Sequence, residues 1–386
     1  MSRFPAPPEA DPALWPVLGG GERNALRELV IGGPQSRAEI ARRLGISRTS
    51  LTRATRTLIE QGFVAEGAVE LRGATGRPSE LLHVRAGSRT MLGVKLTVDR
   101  LFAVVTDLNA AVLASHDEPL VSHSVQDVVD QIAGVCERFR DKHPNIAAAG
   151  IGLAGDVATA GGRQIVVDSP FLGWRDVALA DLVSRRLGVL VATENDVRAL
   201  TAAEHWFGVG AGYESMALVT VGYGLGFGLV VGGGLVTGAH GKAARLDHLV
   251  VDPNGPRCGS GHRGCASMYL TDWGIVSALR TPGLTYQDVL ALARGGDPAA
   301  QRAFADAGNA LGVLVATLAN TIDPEKIVVT GEGIAVAELA RTEVDAAIEA
   351  HRHPTGAPVD LDVQPFAFEE WARAGAVLAI RAGLET

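Results

Sequence analysis

The stretch SRAEIARRLGISRTSLTRATRTLIEQG, residues 36–62, contains two short helical patterns separated by a tight turn. Ser36 and Glu39 have the spacing of a capping box, which predicts that a helix begins after Ser36. Gly45 is placed to end this helix, and Ser47 is placed to cap a second, longer one. Two short helices joined by a glycine-containing turn are typical of a helix-turn-helix.

Apolar residues recur at helical spacing through both helices and through a preceding segment, residues 22–32, which ends at Gly32-Gly33-Pro34. This periodicity predicts three helices packed around one small core. The predicted core residues are Ala25, Leu26, Leu29 and Val30 in the first helix, Ala38, Ile40, Ala41 and Leu44 in the second, and Leu51, Ala54, Leu58 and Ile59 in the third.

The polar side of the third helix is basic, with no acidic residue before Glu60. Arginine can contact guanine edges and phosphates, and threonine can contact phosphates or thymine methyl groups. We therefore predict a DNA-recognition face, to which a solvated surface helix is the alternative. The predicted DNA contacts of the chain are Arg37, Ser47, Arg48, Thr49, Thr52, Arg53, Arg56 and Arg77.

Two short alternating segments, residues 63–71 and 80–84, follow the third helix and flank a glycine-rich loop. This pattern predicts two strands and the wing of a winged helix. The loop contains Gly76-Arg77-Pro78, which would project Arg77 from a narrow backbone toward the minor groove of DNA. Outside that context, the same tripeptide is a common loop sequence.

Charge is unevenly distributed along the 386 residues. Residues 1–90 contain 13 Arg and 9 Asp or Glu, whereas the remainder contains 22 basic and 34 acidic residues, so the net charge of −8 conceals a basic end and an acidic body. A small basic module fused to a larger acidic body is the pattern expected of a DNA reader joined to a sensor.

Composition excludes several classes of protein. With 47% hydrophobic and 20% charged residues, the chain is neither disordered nor fibrous. No apolar run is long enough to span a membrane, and the N-terminal segment lacks the apolar core of a signal peptide. Three cysteines (Cys136, Cys258 and Cys265) are too few and too unevenly placed for a disulfide framework, which favours a reducing cytoplasm.

From residue 91 onward, apolar strand patterns alternate with amphipathic helix patterns. Strand patterns occur at 92–98, 100–108, 110–120 and 147–155, a helix pattern at 125–141, and a strand followed by a helix at 187–208. Residues 215–238 have the pattern of a glycine-rich hairpin, 327–340 that of a strand, a turn and a helix, and 370–382 that of a final helix packing back on the first lobe. This alternation predicts an α/β body with two lobes around a cleft.

The chain resembles the ROK family of repressors and sugar kinases, which has an actin/hexokinase-like (ribonuclease H-like) fold. The stretches that carry the resemblance are SPFLGW (169–174), ENDVRALTAAEHWFG (194–208), VTVGYGLGFGLVVGGGLVTGAHG (219–241) and CGSGHRGC (258–265). The winged helix-turn-helix makes the chain similar to the family's transcriptional regulators. The resulting domain prediction is an N-terminal segment at 1–20, a DNA-binding domain at 21–90 and a two-lobed ROK body at 91–386.

The phosphate-binding motifs of the family's kinases are altered. In place of an early Asp-Gly-Gly-Thr motif, residues 94–99 read Val-Lys-Leu-Thr-Val-Asp, so Lys95 replaces the acid associated with the metal ion. A later glycine loop keeps Gly222, Gly224, Gly226 and Gly228 but has Tyr223 where the family usually has threonine. Because phosphate needs close backbone approach, the resemblance implies that binding of ATP and magnesium is lost. An ATP-dependent sugar kinase is the alternative.

The sugar site that the resemblance implies is only partly retained. Asp196 matches the catalytic base of the kinases, here a vestigial one, and Asn195 with Asp196 matches the pair that binds the inducer in regulators; the alternative is a polar helix cap. The family's glutamates are replaced by Arg245 and Ser267, its asparagine by Phe171 and a glycine by Asp247. The predicted effector residues are Asn195, Asp196, Arg245 and His248. Three possibilities follow for the effector. It is an anionic sugar (a sugar phosphate or sugar acid), it is a neutral sugar, or the chain has no effector.

The family's zinc loop is also altered. Its histidine corresponds to His248 and two of its cysteines to Cys258 and Cys265, but Ser260 replaces the middle cysteine. A closed structural zinc site needs four ligands, and His262 is the candidate for the fourth. A metal-free loop held by glycine turns is the alternative. Cys136 is expected to be an inert core residue.

Together these observations predict a cytoplasmic, homodimeric or homotetrameric transcriptional repressor that binds an inverted-repeat DNA operator. Its ROK body would be catalytically inactive and would respond to a small-molecule effector. Two alternatives remain: a sugar kinase, and a DNA-binding regulator with no effector.

Overall fold

A computed structural model describes residues 15–70, 79–242 and 245–385. The chain forms two compact units. Unit 1 comprises Met1–Gly212 together with Glu369–Thr386, and unit 2 comprises Tyr213–Phe368. The helix at the end of the chain thus belongs to the first unit, as the sequence predicted.

Unit 1 begins with a winged helix-turn-helix. Its elements are α1 (Gly20–Gly32), β1 (Gln35–Ser36), α2 (Arg37–Leu44), α3 (Arg48–Glu60), β2 (Val64–Glu70) and β3 (Ser79–Val84). The three strands form an antiparallel sheet of order β1-β3-β2. The side chain of Ser36 caps α2 by accepting a hydrogen bond from the backbone of Glu39, and Ser47 caps α3 through Ser50. Gly45 ends α2 in a left-handed conformation, with φ of 63°.

The predicted core of these helices is largely confirmed, with three exceptions. Ala38 is exposed, and Leu44 and Ile59 are only half-buried, whereas Thr55 is completely buried. Thr55 tolerates burial because its hydroxyl donates to the carbonyl oxygen of Thr52 and accepts from Arg37. The sequence pattern missed this position because threonine reads as polar.

The body of unit 1 is a five-stranded sheet of order β11-β7-β4-β5-β6. Strands β4, β7 and β11 run parallel, whereas β4-β5-β6 is an antiparallel meander. The strands are β4 (Thr90–Leu96), β5 (Arg100–Thr106), β6 (Val112–Pro119), β7 (Ile146–Leu153) and β11 (Leu190–Asn195). A short 3₁₀ turn, Ala86–Ser88, joins β3 to this sheet.

Helices cover both faces of this sheet. The amphipathic helices α4 (Val125–Arg140) and α5 (Leu179–Leu187) share a core with one face, and Cys136 is buried there. On the other face α13 (Glu369–Glu385) packs against the sheet and against α6 (Asp196–Phe207). The sequence did not predict a second, antiparallel sheet of order β10-β9-β8, formed by β8 (Asp156–Ala160), β9 (Arg163–Ser169) and β10 (Trp174–Val177).

Glycines let α13 lie directly on the sheet. A Cβ atom at Gly150 of β7 would overlap the carbonyl oxygen of Gly375 in α13, and a Cβ atom at Gly375 would lie 2.7 Å from the carbonyl oxygen of Gly150. Neither position therefore accommodates a side chain while the helix stays where it is.

Unit 2 contains a sheet of order β14-β13-β12-β15-β16. Its strands are β12 (Met216–Thr220), β13 (Gly226–Val231), β14 (Gly234–Leu235), β15 (Lys326–Thr330) and β16 (Leu361–Val363). Its helices are α7 (Ser267–Leu270), α8 (Asp272–Ala278), α9 (Tyr286–Arg294), α10 (Pro298–Ile322), α11 (Ala335–Leu339) and α12 (Arg341–His351). The predicted glycine-rich hairpin is confirmed as β12 and β13. Among the described residues, no helix is long and apolar enough to cross a membrane.

Candidate functional site

The exposed face of α3 carries the side chains predicted to contact DNA. Arg48, Thr49, Thr52, Arg53 and Arg56 are all exposed, while Leu51, Ala54 and Leu58 are buried on the opposite side of the helix. Ser47 is exposed as well, and its hydroxyl is engaged in capping. The helix therefore presents three guanidinium groups in one surface, with its apolar residues facing the winged-helix core.

Arg37 has a different environment from the other predicted DNA contacts. Its guanidinium is paired with Glu66 of β2, lies 3.9 Å from Glu80 of β3, and donates to the hydroxyl of Thr55 at 3.3 Å. The side chain is 29% exposed. Arg37 thus joins the start of α2 to α3 and to both wing strands. Arg77, the predicted minor-groove contact, lies outside the described residues.

Asp196, which the resemblance matches to the catalytic base of the kinases, takes part in a buried ion pair. The ammonium group of Lys95 on β4 pairs with the carboxylate of Asp196, the first residue of α6, and these side chains are only 6% and 11% exposed. The ring of Trp371 in α13 lies 4.9 Å from the same ammonium group. The sequence marked Lys95 as a departure from the family and Asp196 as a match to it, did not relate the two, and gave no sign of Trp371.

Asn195, the second predicted effector residue, is engaged within the fold. Its side-chain oxygen accepts hydrogen bonds from the backbone of Val197 and Arg198, and its amide nitrogen donates to the carbonyl oxygen of Gly155 at 3.0 Å. It therefore serves as the N-cap of α6 and ties this helix to the turn after β7. The polar-cap interpretation of Asn195 accounts for these bonds.

Glu194 and Arg198 form a second buried ion pair at the same helix terminus. Arg198 also donates to the carbonyl oxygen of Val157 at 2.7 Å. Burial raises the pKa of Glu194, and the guanidinium of Arg198 opposes this shift.

The glycine turn between β12 and β13 lies beside the carboxylate of Glu332 and the backbone of Asp272. A Cβ atom at Gly222 would lie 2.7 Å from a carboxylate oxygen of Glu332, and the backbone N–H of Asp272 donates to the carbonyl oxygen of Gly222 at 2.8 Å. Burial and the neighbouring Glu332 raise the pKa of Asp272. Glu332 and Asp272 are thus acidic neighbours of each other near this turn.

Unit 2 brings four side chains together as a group able to hold a metal ion. One ligand atom from each of His248, Cys258, His262 and Cys265 lies within 4.8 Å of all the others. The Nδ1 atom of His248 is 3.6 Å from Sγ of Cys258 and 3.4 Å from Nδ1 of His262. A tetrahedral zinc ion would separate a nitrogen from a sulfur ligand by about 3.6 Å and two nitrogen ligands by about 3.3 Å. The spacing of the group fits this geometry.

Backbone hydrogen bonds hold the loop that carries these ligands. The N–H of Cys258 donates to the carbonyl oxygen of His262 at 2.8 Å, and the N–H of Gly264 donates to that of Pro256, also at 2.8 Å. Burial opposes ionisation of Cys258, but hydrogen bonds from Ser260, Cys265 and other neighbours lower the pKa of its thiol overall. For Cys265, burial and the neighbouring Cys258 raise the pKa of the thiol.

Asp247 lies beside His248, on the side of the ring away from the other ligands. Its carboxylate lies 3.5 Å from Nε2 of His248, on the opposite side of the ring from Nδ1. Histidines that bind metals commonly hold a carboxylate at their second nitrogen, which fixes the tautomer. Nδ1 of His248 faces the other members of the metal group, and the role of His248 in effector binding stays a prediction. Asn195 and Asp196 belong to unit 1, whereas Arg245, which is exposed, and His248 belong to unit 2.

Comparison with family models identifies both parts of the chain. A model of the ROK family matches residues 91–367, and a model of the MarR family matches residues 18–72. A crystal structure of a ROK family transcriptional regulator, described as a homologue of the E. coli MLC protein, superposes with a TM-score of 0.78 over 95% of this chain and 97% of that one. At 24% identity this match shows the fold, and it confirms the predicted winged helix and kinase-like body.

Relatives of known function include both repressors and kinases. The xylose repressor of Bacillus spizizenii is 24% identical over 335 residues, which cover 85% of this chain and 86% of the repressor. The glucokinase of Streptomyces coelicolor is 31% identical over 260 residues, which cover 62% of this chain and 81% of the kinase. The match to the repressor therefore spans more of this chain than the match to the kinase.

Proposed function

The chain belongs to the ROK family, and we propose that it is a DNA-binding transcriptional repressor whose kinase-like body responds to a sugar or sugar derivative. The observation that carries this proposal is the exposed arginine and threonine face of α3 in a winged helix fused to a ROK body. In a helix-turn-helix the second helix lies in the major groove, where these side chains contact base edges and phosphates. The xylose repressor, which is similar over most of the chain, supports the same role.

The kinase-like body is proposed to lack phosphoryl-transfer activity. A general base must be free to accept the proton of the sugar hydroxyl, but the carboxylate of Asp196 is buried against the ammonium of Lys95. Phosphoryl transfer also depends on metal ions and positive groups around the phosphates, whereas Asp272 and Glu332 lie beside the glycine turn. These two features favour a repressor over the ATP-dependent kinase to which the chain is also similar.

The metal group is proposed to hold structural zinc. His248, Cys258, His262 and Cys265 would supply four ligands, with His262 in place of the cysteine that the family has at Ser260. A closed site of four protein ligands leaves no open position for catalysis, so zinc would stabilise the loop of unit 2.

The effector is proposed to be an anionic sugar, a sugar phosphate or a sugar acid. Arg245 replaces a family glutamate, and this exchange adds a positive group that can pair with a carboxylate or phosphate. Asn195 and Asp196 are engaged within unit 1, so they would contribute to effector binding only by exchanging these partners. A screen of thermal stability with neutral sugars, sugar phosphates and sugar acids would distinguish the classes.

The repressor is further proposed to act as a homodimer or homotetramer, since paired winged helices match an inverted repeat. The decisive test is selection from a pool of genomic DNA fragments by the intact chain and by a variant in which Arg48, Arg53 and Arg56 are changed to Ala. We expect the intact chain to enrich fragments containing an inverted repeat and the variant to enrich none. If the two proteins enrich the same fragments, or if the intact chain enriches none, the proposed function is wrong.

A further inference from the structure

Trp15 connects the winged helix to the C-terminal helix of unit 1. Its indole packs edge-on against Phe63, with the ring centroids 5.6 Å apart and the ring planes at 63°. The indole nitrogen donates a hydrogen bond to the carbonyl oxygen of Gly383 in α13 at 2.9 Å. A Cβ atom at Gly383 would overlap the indole ring, so the absence of a side chain there makes room for it.

The winged-helix end of this connection is firmly held. Phe63 is completely buried, and its N–H donates to the carbonyl oxygen of Leu58, the core residue near the end of α3. The guanidinium of Arg89 lies 5.0 Å from the centre of the Phe63 ring. The residue that Trp15 contacts therefore follows α3 directly and is part of the core on which α3 rests.

The opposite end of α13 lies at the buried ion pair. Trp371, in the first turn of the helix, faces the ammonium of Lys95, which is in turn paired with Asp196. With a rise of about 1.5 Å per residue, the helix carries Trp371 and Gly383 about 18 Å apart. One helix thus contacts the altered kinase site at its start and the winged helix at its end.

Contacts along its length hold α13 as one body. Gly375 lies against Gly150 of the sheet, and the guanidinium of Arg381 lies 5.0 Å from the ring centre of Trp206 in α6. Arg373 pairs with Glu370 and lies 3.9 Å from Glu204 of α6. Since close-packed elements move as units, a displacement at Trp371 reaches Gly383.

We propose that α13 couples the Lys95–Asp196 pair to the winged helix, and that Trp15 is the positioning residue through which this coupling acts. A ligand that draws Lys95 or Asp196 out of the pair changes the contact with Trp371. The helix α13 transmits this change to the contact between Gly383 and Trp15, and so to the winged helix. The inference rests on the proposed function, because the winged helix is taken to be the DNA reader.

The test is a double-mutant cycle read by hydrogen–deuterium exchange of α1–α3 in the full chain without DNA. The pair is neutralised by Lys95→Met with Asp196→Asn, which leaves no buried charge unpaired. Trp15→Ala breaks the connection from one side. Gly383→Ala breaks it from the other, because the added Cβ atom displaces the indole from α13 while Trp15 itself is retained. Trp273→Ala, which removes a tryptophan that is 60% exposed in unit 2, is the matched control.

We expect neutralisation of the pair to change the exchange rate in α1–α3 by at least about fivefold in the unmodified and Trp273→Ala backgrounds. In the Trp15→Ala and Gly383→Ala backgrounds the same neutralisation should change it less than about twofold. DNA affinity, measured in parallel, should show the same non-additivity.

Equal effects of neutralisation in all four backgrounds, or no effect in the unmodified chain, would overturn the coupling. Because exchange is read without DNA, this outcome is distinct from failure of the proposed function, which is a lack of sequence-selective DNA binding in the intact chain. If Trp15→Ala itself unfolds, Gly383→Ala still completes the cycle.

Discussion

Lys95 and Asp196 lie 101 residues apart in the sequence, yet their side chains form a buried ion pair in unit 1. The resemblance to the family's kinases matches Lys95 to the acid of the phosphate motif and Asp196 to the base that serves the sugar hydroxyl. In this chain they neutralise each other. The departure at Lys95 therefore affects the base at Asp196 as well as the phosphate motif.

The first prediction concerns catalysis. Purified protein supplied with Mg-ATP and with glucose or N-acetylated hexosamines should transfer no phosphate above background, because Asp196 is engaged with Lys95. A coupled assay for ADP measures this directly. Robust turnover that disappears in Asp196→Asn would show that the body is an active kinase.

The second prediction concerns stability. Lys95→Met leaves the carboxylate of Asp196 buried without its partner and should lower the free energy of unfolding by about 3–5 kcal/mol. Adding Asp196→Asn removes the unpaired charge and should recover most of this loss. Urea unfolding of the three proteins measures both steps. Equal stability of the single and double variants would mean that the pair is not buried as described.

The third prediction concerns zinc. Cys258→Ala should lose bound metal and destabilise unit 2, because metal-binding free energy contributes to folding. Asp247→Asn should retain the four ligands but lower zinc affinity about 10–100-fold, since a carboxylate near the second nitrogen of a ligating histidine strengthens its binding. Elemental analysis and competition with a chelator measure the two effects. Metal-supplemented protein with well under one zinc per chain would contradict the proposed site.

The fourth prediction separates two arginines of the winged helix. Arg53→Ala should weaken specific DNA binding by about 1–3 kcal/mol while changing non-specific binding little, as expected of a base contact. Arg37→Ala should instead loosen the wing strands, because Arg37 pairs with Glu66 and lies near Glu80. Operator and random-sequence affinities, measured over a range of salt concentrations, distinguish the two. If Arg37→Ala keeps normal hydrogen-exchange protection in the wing strands but selectively loses operator binding, Arg37 is a base contact instead.

The fifth prediction concerns pH. Burial and Glu332 raise the pKa of Asp272 above its unfolded value of about 3.9. At a pH between the unfolded pKa and the raised folded pKa of Asp272, the folded chain holds a proton that the unfolded chain releases. The contribution of Asp272 to stability therefore falls as the pH rises through this interval. Asp272→Asn should therefore gain stability relative to the unmodified chain as the pH rises from about 4 toward neutrality.

Urea unfolding at a series of pH values tests this effect. Glu332→Gln removes the neighbouring charge, so the loss of stability with rising pH that is due to Asp272 should become smaller. A stability difference between the unmodified chain and Asp272→Asn that stays constant over the interval would contradict the assignment.

Local signals in the sequence were sufficient to predict the winged helix. Ser36, Gly45 and Ser47 act on their own backbone or on residues within a turn, so their roles can be read from spacing. The kinase-like body was identified from motifs whose order and spacing are those of the family. Caps, turns and short motifs can be predicted because each depends on residues that are close together in the sequence.

Contacts between distant residues could not be predicted in this way. Trp371 approaches Lys95 only because the chain returns to unit 1 after completing unit 2. Arg37 has the position of a DNA contact at the start of α2, but folding brings two glutamates of the wing strands to it.

The return of the chain to unit 1 also has a consequence during protein synthesis. The ribosome makes Tyr213–Phe368 after the sheet of unit 1 and before α13, which takes on the order of 10–30 s at about 5–20 residues per second. During that interval the face of the sheet around Gly150 has no covering helix, and Trp15 has no Gly383 to bond. A nascent chain therefore lacks the hydrogen bond between Trp15 and Gly383 until α13 has been synthesised.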